Sequence, residues 1–215
     1  MTPVLFDLDG TLIDSLPSIT DAANTVLSEQ NLPPIGQDKT VGFVGRGERV
    51  FVERMIAATD LDPDAFDALL VRFVEHYKVS AASVRLMPGA RDAVDVLRDV
   101  GYPLGLVTNK PRAPLGPTID AAGLADAFDI VLAGDDLERR KPDPLPLAVA
   151  MERLGGETCL YVGDSDVDAE TAKNAGVPFA LYTEGIRTMP VESLPHDAAF
   201  DDFRDLPGIV RKLIG

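Results

Sequence analysis

Two aspartates, Asp7 and Asp9, stand two residues apart where the apolar run Val4-Leu5-Phe6 ends, and Gly10 and Thr11 follow them. Carboxylates held that close repel each other unless a cation or a shared proton sits with them. A solvated turn is the competing reading, because Asp, Gly and Thr are ordinary turn residues. Three later clusters bear on the choice. Val107 leads into Thr108-Asn109-Lys110, a hydroxyl, an amide and a cation. The run Glu138-Arg139-Arg140-Lys141-Pro142-Asp143-Pro144 follows the next apolar segment, and Val162 leads into Gly163-Asp164-Ser165-Asp166-Val167-Asp168. Taken singly, these read as a turn, a solvated charge and a helix cap. Taken in order, they bring together a hydroxyl, a lysine and four carboxylates, a set suited to phosphoryl transfer to a carboxylate with Mg²⁺.

The donor types carry that expectation. Mg²⁺ takes oxygen ligands, usually one or two carboxylates with water and substrate phosphate, and Asp7 and Asp164 can supply them. Lys141 and Thr108 suit phosphoryl oxygens as charge shifts onto them. Asp9, two residues past Asp7, can protonate the leaving oxygen.

Such a set works only if the chain places all four clusters along one edge. A run such as Val4-Leu5-Phe6 fits a strand buried on both faces of a parallel sheet, and the carboxyl edge of such a sheet is where ligands bind. From Pro88 the pattern alternates. Helices are expected over Ala90–Val100, Pro114–Ala122, Leu145–Leu154 and Ala169–Ala175, the last capped by Gly176, with strands at Leu104–Val107, Ile130–Ala133, Thr158–Val162 and Phe179–Tyr182. This reads as an α/β fold with a doubly wound parallel sheet. Between the first two strands, Ser15 to about Ser83 reads as wholly helical. Ile19, Ala22, Ala23, Val26 and Leu27 recur at helical spacing, a second helix begins near Gly47, and Phe66, Leu69, Leu70, Phe73, Val74 and Tyr77 form a third stripe. Residues 15–83 are therefore expected as an α-helical cap, inserted into a core of 1–14 and 84–215. Its hinges would lie near Ser15-Leu16-Pro17 and between Ser83 and Gly89, a geometry suited to closing over a site.

Composition excludes several classes. The 215 residues carry 20 Lys and Arg against 35 Asp and Glu, a net charge of −15, which argues against a nucleic-acid partner because phosphate backbones are bound through basic surface. No basic segment followed by an apolar stretch opens the chain, and no run reaches the length of a membrane span. A cytoplasmic protein acting on a small anionic phosphorylated metabolite is the expectation. The single cysteine, Cys159, rules out an internal disulfide and reads as a core residue. His76 and His196 lack partners at metal-ligand spacing and read as surface or half-buried side chains.

Asp7-Leu8-Asp9-Gly10-Thr11, Thr108-Asn109, Lys141-Pro142 and Gly163-Asp164-Ser165-x-x-Asp168 resemble the four motifs of the haloacid dehalogenase-like phosphohydrolases, over nearly the whole chain. The resemblance implies a Rossmann-like core, Asp7 as the nucleophile that becomes aspartyl-phosphate, and Asp9 as the acid and then the base. It implies that Thr108 and Lys141 bind phosphate, with Lys141 steadying Asp7. Mg²⁺ would be held by Asp7, the Asp9 backbone carbonyl and Asp164, with Asp168 in support. The segment Val41-Gly42-Phe43-Val44-Gly45-Arg46-Gly47 is similar to the cap loop of phosphoglycolate phosphatases, which makes 2-phosphoglycolate the expected substrate. Arg46, with Arg49, would then serve as a carboxylate-binding fork, Asn109 lying beside the phosphate site, although Gly-x-Gly before a helix is also a plain turn.

Asp9 argues against a dehalogenase proper, which lacks that second aspartate. A phosphonatase would need a cap lysine, and nothing local marks Lys39 or Lys78 as one. Two other readings remain open. A phosphomutase of the β-phosphoglucomutase type uses the same four motifs. A phospho-accepting receiver module also groups acids, a threonine and a lysine, but it is far shorter and lacks both the cap and an acid two residues past the nucleophile.

Overall fold

The computed structural model describes residues 1–215, the side chain of Ala82 excepted. Its regular elements run β1 (Val4–Phe6), β2 (Ile13–Asp14), α1 (Leu16–Glu29), α2 (Gln37–Thr40), α3 (Glu48–Ala58), α4 (Phe66–Ser80), β3 (Arg85–Leu86), α5 (Ala90–Val100), β4 (Leu104–Val107), α6 (Arg112–Ala121), β5 (Ile130–Leu132), α7 (Leu145–Arg153), β6 (Leu160–Gly163), α8 (Asp166–Ala175), β7 (Phe179–Tyr182), β8 (Ala198–Phe200) and α9 (Leu206–Ile214).

Six strands form one parallel sheet in the order β5-β4-β1-β6-β7-β8. The chain builds outward from β1 through β4 to β5, then returns to the other flank of β1 and builds outward again. That reversal of direction at β1 is the topological switch of an α/β sheet, where loops leave the strand ends in opposite directions and open a crevice. Phe6 pairs with Leu106 on one side and Val162 on the other, so Asp7, Thr108 and Asp164 all emerge at the same edge. Every residue of β1, β4 and β6 is buried, which is why these strands read as continuous apolar runs without alternation.

Apolar clusters cover the two faces of the sheet, one around Phe6, Leu12 and Phe203 and the other around Leu5, Tyr161 and Leu181. A third is built entirely within α1 to α4 and their connections, from Ile19 to Tyr77. There Phe73 stacks on Phe51 with ring centres 4.4 Å apart, and Phe51 meets Phe43 edge-on at 5.5 Å. The helices join the sheet through a two-stranded antiparallel ribbon, Ile13 opposite Leu86 and Asp14 opposite Arg85.

The ribbon and the terminal pair β8 and α9 go beyond the sequence reading. Two-residue strands carry no periodicity, and Ala198-Ala199-Phe200 lacks the β-branched residues that mark a strand. The observed bounds otherwise differ by a few residues. The main shift is at α8, which begins at Asp166 and not Ala169, because Ser165 and Asp168 form a reciprocal capping box that starts the helix early.

Since Phe73 is almost fully buried at the centre of the helical cluster, Phe73→Ala is expected to lower unfolding stability by about 3–5 kcal/mol, the usual loss for a core aromatic. Urea unfolding followed by circular dichroism measures it. A loss below about 1 kcal/mol, typical of a surface change, would mean the helices do not pack through that ring.

Candidate active site

Asp7 follows β1 and is buried, and its Oδ1 accepts a hydrogen bond from Lys141 Nζ at 2.6 Å. Lys141 comes from the long connection between β5 and α7, reaches beneath the strand ends, and also donates to Asp168 Oδ1 and Tyr161 Oη, both at 2.8 Å. Tyr161 in turn donates to Asp168 Oδ1 at 2.8 Å. The other oxygen of Asp168 accepts from Ser165 Oγ at 2.6 Å and from the Ser165 backbone N–H at 3.2 Å. Asp168 thus caps α8 and orients Lys141 at once.

Asp164 is fully buried after β6. Thr11 Oγ1 donates to its Oδ1 at 2.6 Å, and the Ile186 backbone N–H donates to its Oδ2 at 2.7 Å. Two glycines admit it. A Cβ on Gly10, whose φ is +88°, or on Gly185 would collide with the Asp164 side chain.

Ligand atoms of Asp7, Asp164 and Asp168 lie within 4.8 Å of one another, and the one lysine among them pairs with Asp7 and Asp168. Two negative charges are left uncompensated in a buried place, and the titration behaviour follows. Burial pushes the Asp7 carboxyl up to about 7, reinforced by Asp168 and Asp9 and opposed by Lys141. Asp164 is pushed well up by burial together with Asp168 and Asp7. Burial works to raise Asp168 too, but Lys141, Ser165 and Tyr161 outweigh it and hold that carboxyl low. For Lys141, burial favours the neutral amine and is outweighed by Asp168 and Asp7, which keep it charged. An all-oxygen donor set two charges short of balance fits a hard divalent cation. Asp7 accepts on one oxygen and Asp164 takes one donor on each, whereas both oxygens of Asp168 already carry two or more.

Thr108 follows β4. Its Oγ1 accepts from the Lys110 backbone N–H at 3.1 Å, which leaves the hydroxyl proton to donate elsewhere. The Asn109 amide donates to the carbonyls of Gly45 and Lys141, both at 2.9 Å, so it pins the loop of the helical segment to the loop that carries Lys141. Asp7, Asp9, Thr108, Asn109 and Lys141 all line one cavity of about 60 Å³, whose lining also includes Ile19, Phe51 and Phe73.

A family model for haloacid dehalogenase-like hydrolases matches residues 4–182. The chain belongs to that family. This haloacid dehalogenase-like enzyme is 44% identical over 213 residues to a phosphoglycolate phosphatase of Rhodobacter capsulatus, covering 98% of this chain and 97% of the relative. It is 42% identical over 212 residues to a phosphoglycolate phosphatase of Rhodospirillum rubrum, covering 94% and 88%. Among solved structures, a predicted phosphoglycolate phosphatase of Haemophilus somnus 129PT superposes with a TM-score of 0.91 at 31% identity, over 97% of each chain.

In this haloacid dehalogenase-like enzyme not every expected residue reaches the cavity. Arg46 turns instead into an adjoining cleft of about 290 Å³, where it pairs with Asp166 at 3.4 Å and Glu170 at 3.7 Å. Those two acids on α8 attract the guanidinium, and the turn through Gly45 and Gly47, both at positive φ, lets the loop present it that way. Arg49 lies over the Phe66 ring, 4.9 Å from its centre. The Asp9 side chain stands outside the three-carboxylate cluster and is bound by Lys110 and Tyr77. Cys159 is buried, its thiol pushed up to about 12 by burial alone, and His76 pairs with Glu29 at 2.8 Å. Among the described residues no helix is long and apolar enough to cross a membrane.

The sequence reading gave no role to Tyr161, Tyr77 or Lys110. The tyrosines look like core positions in apolar stripes. Lys110 was visible as a cation beside Thr108 and Asn109, but its partner, 101 residues away, was not.

The charge imbalance gives the two ends of one ion pair opposite signs. At pH 8 in EDTA, Lys141→Met is expected to lose about 3–5 kcal/mol, the usual cost of stranding buried charge. Asp7→Asn should gain stability. A carboxyl raised from 3.8 to about 7 on folding takes up a proton, so its contribution turns unfavourable as pH rises across that interval. Similar losses for both variants in urea unfolding would refute the imbalance.

Proposed function

We propose that this chain is a Mg²⁺-dependent phosphatase that hydrolyses a small phosphomonoester, 2-phosphoglycolate by preference, through a phosphorylated Asp7. The observation that carries the reading is the convergence on one small cavity of a lysine-paired aspartate, a second aspartate two residues on and a threonine hydroxyl, with the buried carboxylates of Asp164 and Asp168 grouped around the first aspartate. The names of the full-length relatives support the substrate.

In this reading Asp7 attacks phosphorus as the bond to the leaving oxygen breaks, and Asp9 gives that oxygen its proton. Asp9 then takes a proton from water as the water attacks phosphorus, releasing phosphate and restoring Asp7. Lys141 holds Asp7 in place and, with Thr108, donates to phosphoryl oxygens. Mg²⁺, held by Asp7, Asp164 and the Asp9 backbone carbonyl, would offset the repulsion between nucleophile and phosphate. Asp168 supports the site through Lys141 and the α8 cap. Residues 15–83 act as a cap over a core of 1–14 and 84–215, and Ile19, Phe51 and Phe73 exclude water from the reaction.

Free phosphate is expected from 2-phosphoglycolate with Mg²⁺ and not in EDTA. Full turnover in EDTA would overturn the metal assignment, and an isomer without free phosphate from a sugar phosphate would establish a mutase. Asp7→Asn should abolish turnover and the acid-stable mass adduct of the phosphorylated protein.

Asp9→Asn should slow turnover by about 10²–10⁴, the usual worth of a positioned acid–base group. The first step should suffer less with an aryl phosphate, whose phenolate needs little protonation. Because the second step still lacks its base, a burst of phenol is expected. Equal steady rates for wild type and Asp9→Asn on alkyl and aryl phosphates would remove Asp9 from the reaction.

A further inference from the structure

The proposed reaction leaves one buried cation without a task. The Lys110 side chain is fully shielded from solvent, and a buried ammonium is retained only where it is paired. Its Nζ donates to Asp9 Oδ1 at 2.9 Å and to the Tyr77 hydroxyl, and it lies 4.0 Å from the centre of the Tyr77 ring. Tyr77 Oη donates to the same Asp9 oxygen at 3.3 Å. One oxygen of Asp9 therefore receives two converging donors. Its other oxygen takes no protein donor among the described residues.

No neighbouring group duplicates this grip. Lys141 is committed to Asp7, Asp168 and Tyr161, and the Asn109 amide to two carbonyls. The three side chains also come from separate parts of the fold. Asp9 follows β1, Lys110 follows β4, and Tyr77 sits on α4, which packs against α6 of the core. The tyrosine contact exists only while α4 stays packed against α6.

We propose that Lys110 and Tyr77 are positioning residues that fix Asp9 through one oxygen, leave the other for proton transfer, and make that alignment depend on the seating of the helical segment. The proposal rests on Asp9 being the acid and base of the reaction. A swinging carboxylate would have to be reoriented at both proton transfers, and a small misplacement of a catalytic group is enough to lose much of its effect. Coupling the grip to α4 restricts proton delivery to the covered site, where a phosphorylated aspartate is shielded from stray reaction.

The test is steady-state kinetics of the full chain with saturating Mg²⁺ on 2-phosphoglycolate, an alkyl phosphate without a carboxylate, and an aryl phosphate. The variants are Lys110→Met, Tyr77→Phe, Asp9→Asn and the double combinations, each checked for folding by circular dichroism. Lys110→Met is expected to lower kcat about 10- to 100-fold and Tyr77→Phe about three- to tenfold, as misalignment does. The loss should be alike with and without a substrate carboxylate, and KM should stay within about threefold, since no ground-state contact is removed. In the Asp9→Asn background neither change should cost more than about twofold further, because both act through Asp9. Losses that multiply with Asp9→Asn overturn the proposal. So does a rise in KM confined to 2-phosphoglycolate, which would make Lys110 a ligand for the substrate carboxylate. Wild-type kcat in both single variants beside a slow Asp9→Asn refutes positioning and leaves the acid–base reading standing, whereas a fast Asp9→Asn refutes that reading as well. Tyr77→Phe removes one hydroxyl and decides the matter if Lys110→Met fails to fold.

Discussion

The arrangement depends on one ammonium group, Lys141 Nζ, donating at once to Asp7, Asp168 and Tyr161. Through those three contacts, a single long connection after β5 is tied to the loop after β1, the first turn of α8 and the side chain of a β6 residue. The phenol of Tyr161 works from below, from a position that otherwise belongs to the core. Lysine suits this place because a compact ammonium with three donors can face three acceptors that do not lie in a plane, which the flat fork of an arginine cannot do as well.

The same contact sets the electrostatics. A chain with net charge −15 places two lysines, Lys110 and Lys141, buried at the edge of a sheet beside its carboxylates. Burial raises the effect of each charge by lowering the local dielectric. It also means that the charges must nearly balance. Lys141 cannot balance three carboxylates, and the shortfall is one that a small, doubly charged cation could fill.

Much of this was legible in the sequence because the parallel sheet writes its active edge in a simple form. Apolar runs buried on both faces stop at polar residues, and Asp7, Thr108 and Asp164 each stand one residue past such a run. The helical segment was legible from stripes such as Phe66 to Tyr77. What escaped was pairing across the chain. Tyr77 and Tyr161 carry a hydroxyl on a ring that packs like a core residue, so apolar spacing describes them well and conceals the polar end. Arg46 illustrates the converse. Its neighbours Gly45 and Gly47 announce a turn but not its direction, which is set by Asp166 and Glu170 on a helix far along the chain. Short paired segments such as Ile13-Asp14 and Arg85-Leu86 have too few residues to show any period.

That two-stranded ribbon means that the chain leaves the core and returns to it at adjacent points. Since the ends are already held together, the length and content of what lies between them scarcely affect the closure entropy of the core. The intervening residues form a closed excursion that can be lengthened, shortened or exchanged without shifting the register of any strand. Its apolar cluster is its own, and it meets the site through the Tyr77 hydroxyl, the Gly45 carbonyl and cavity-lining side chains such as Ile19, Phe51 and Phe73. The architecture thus lets the excursion change while the sheet edge, with Asp7, Thr108 and Asp164, stays as it is.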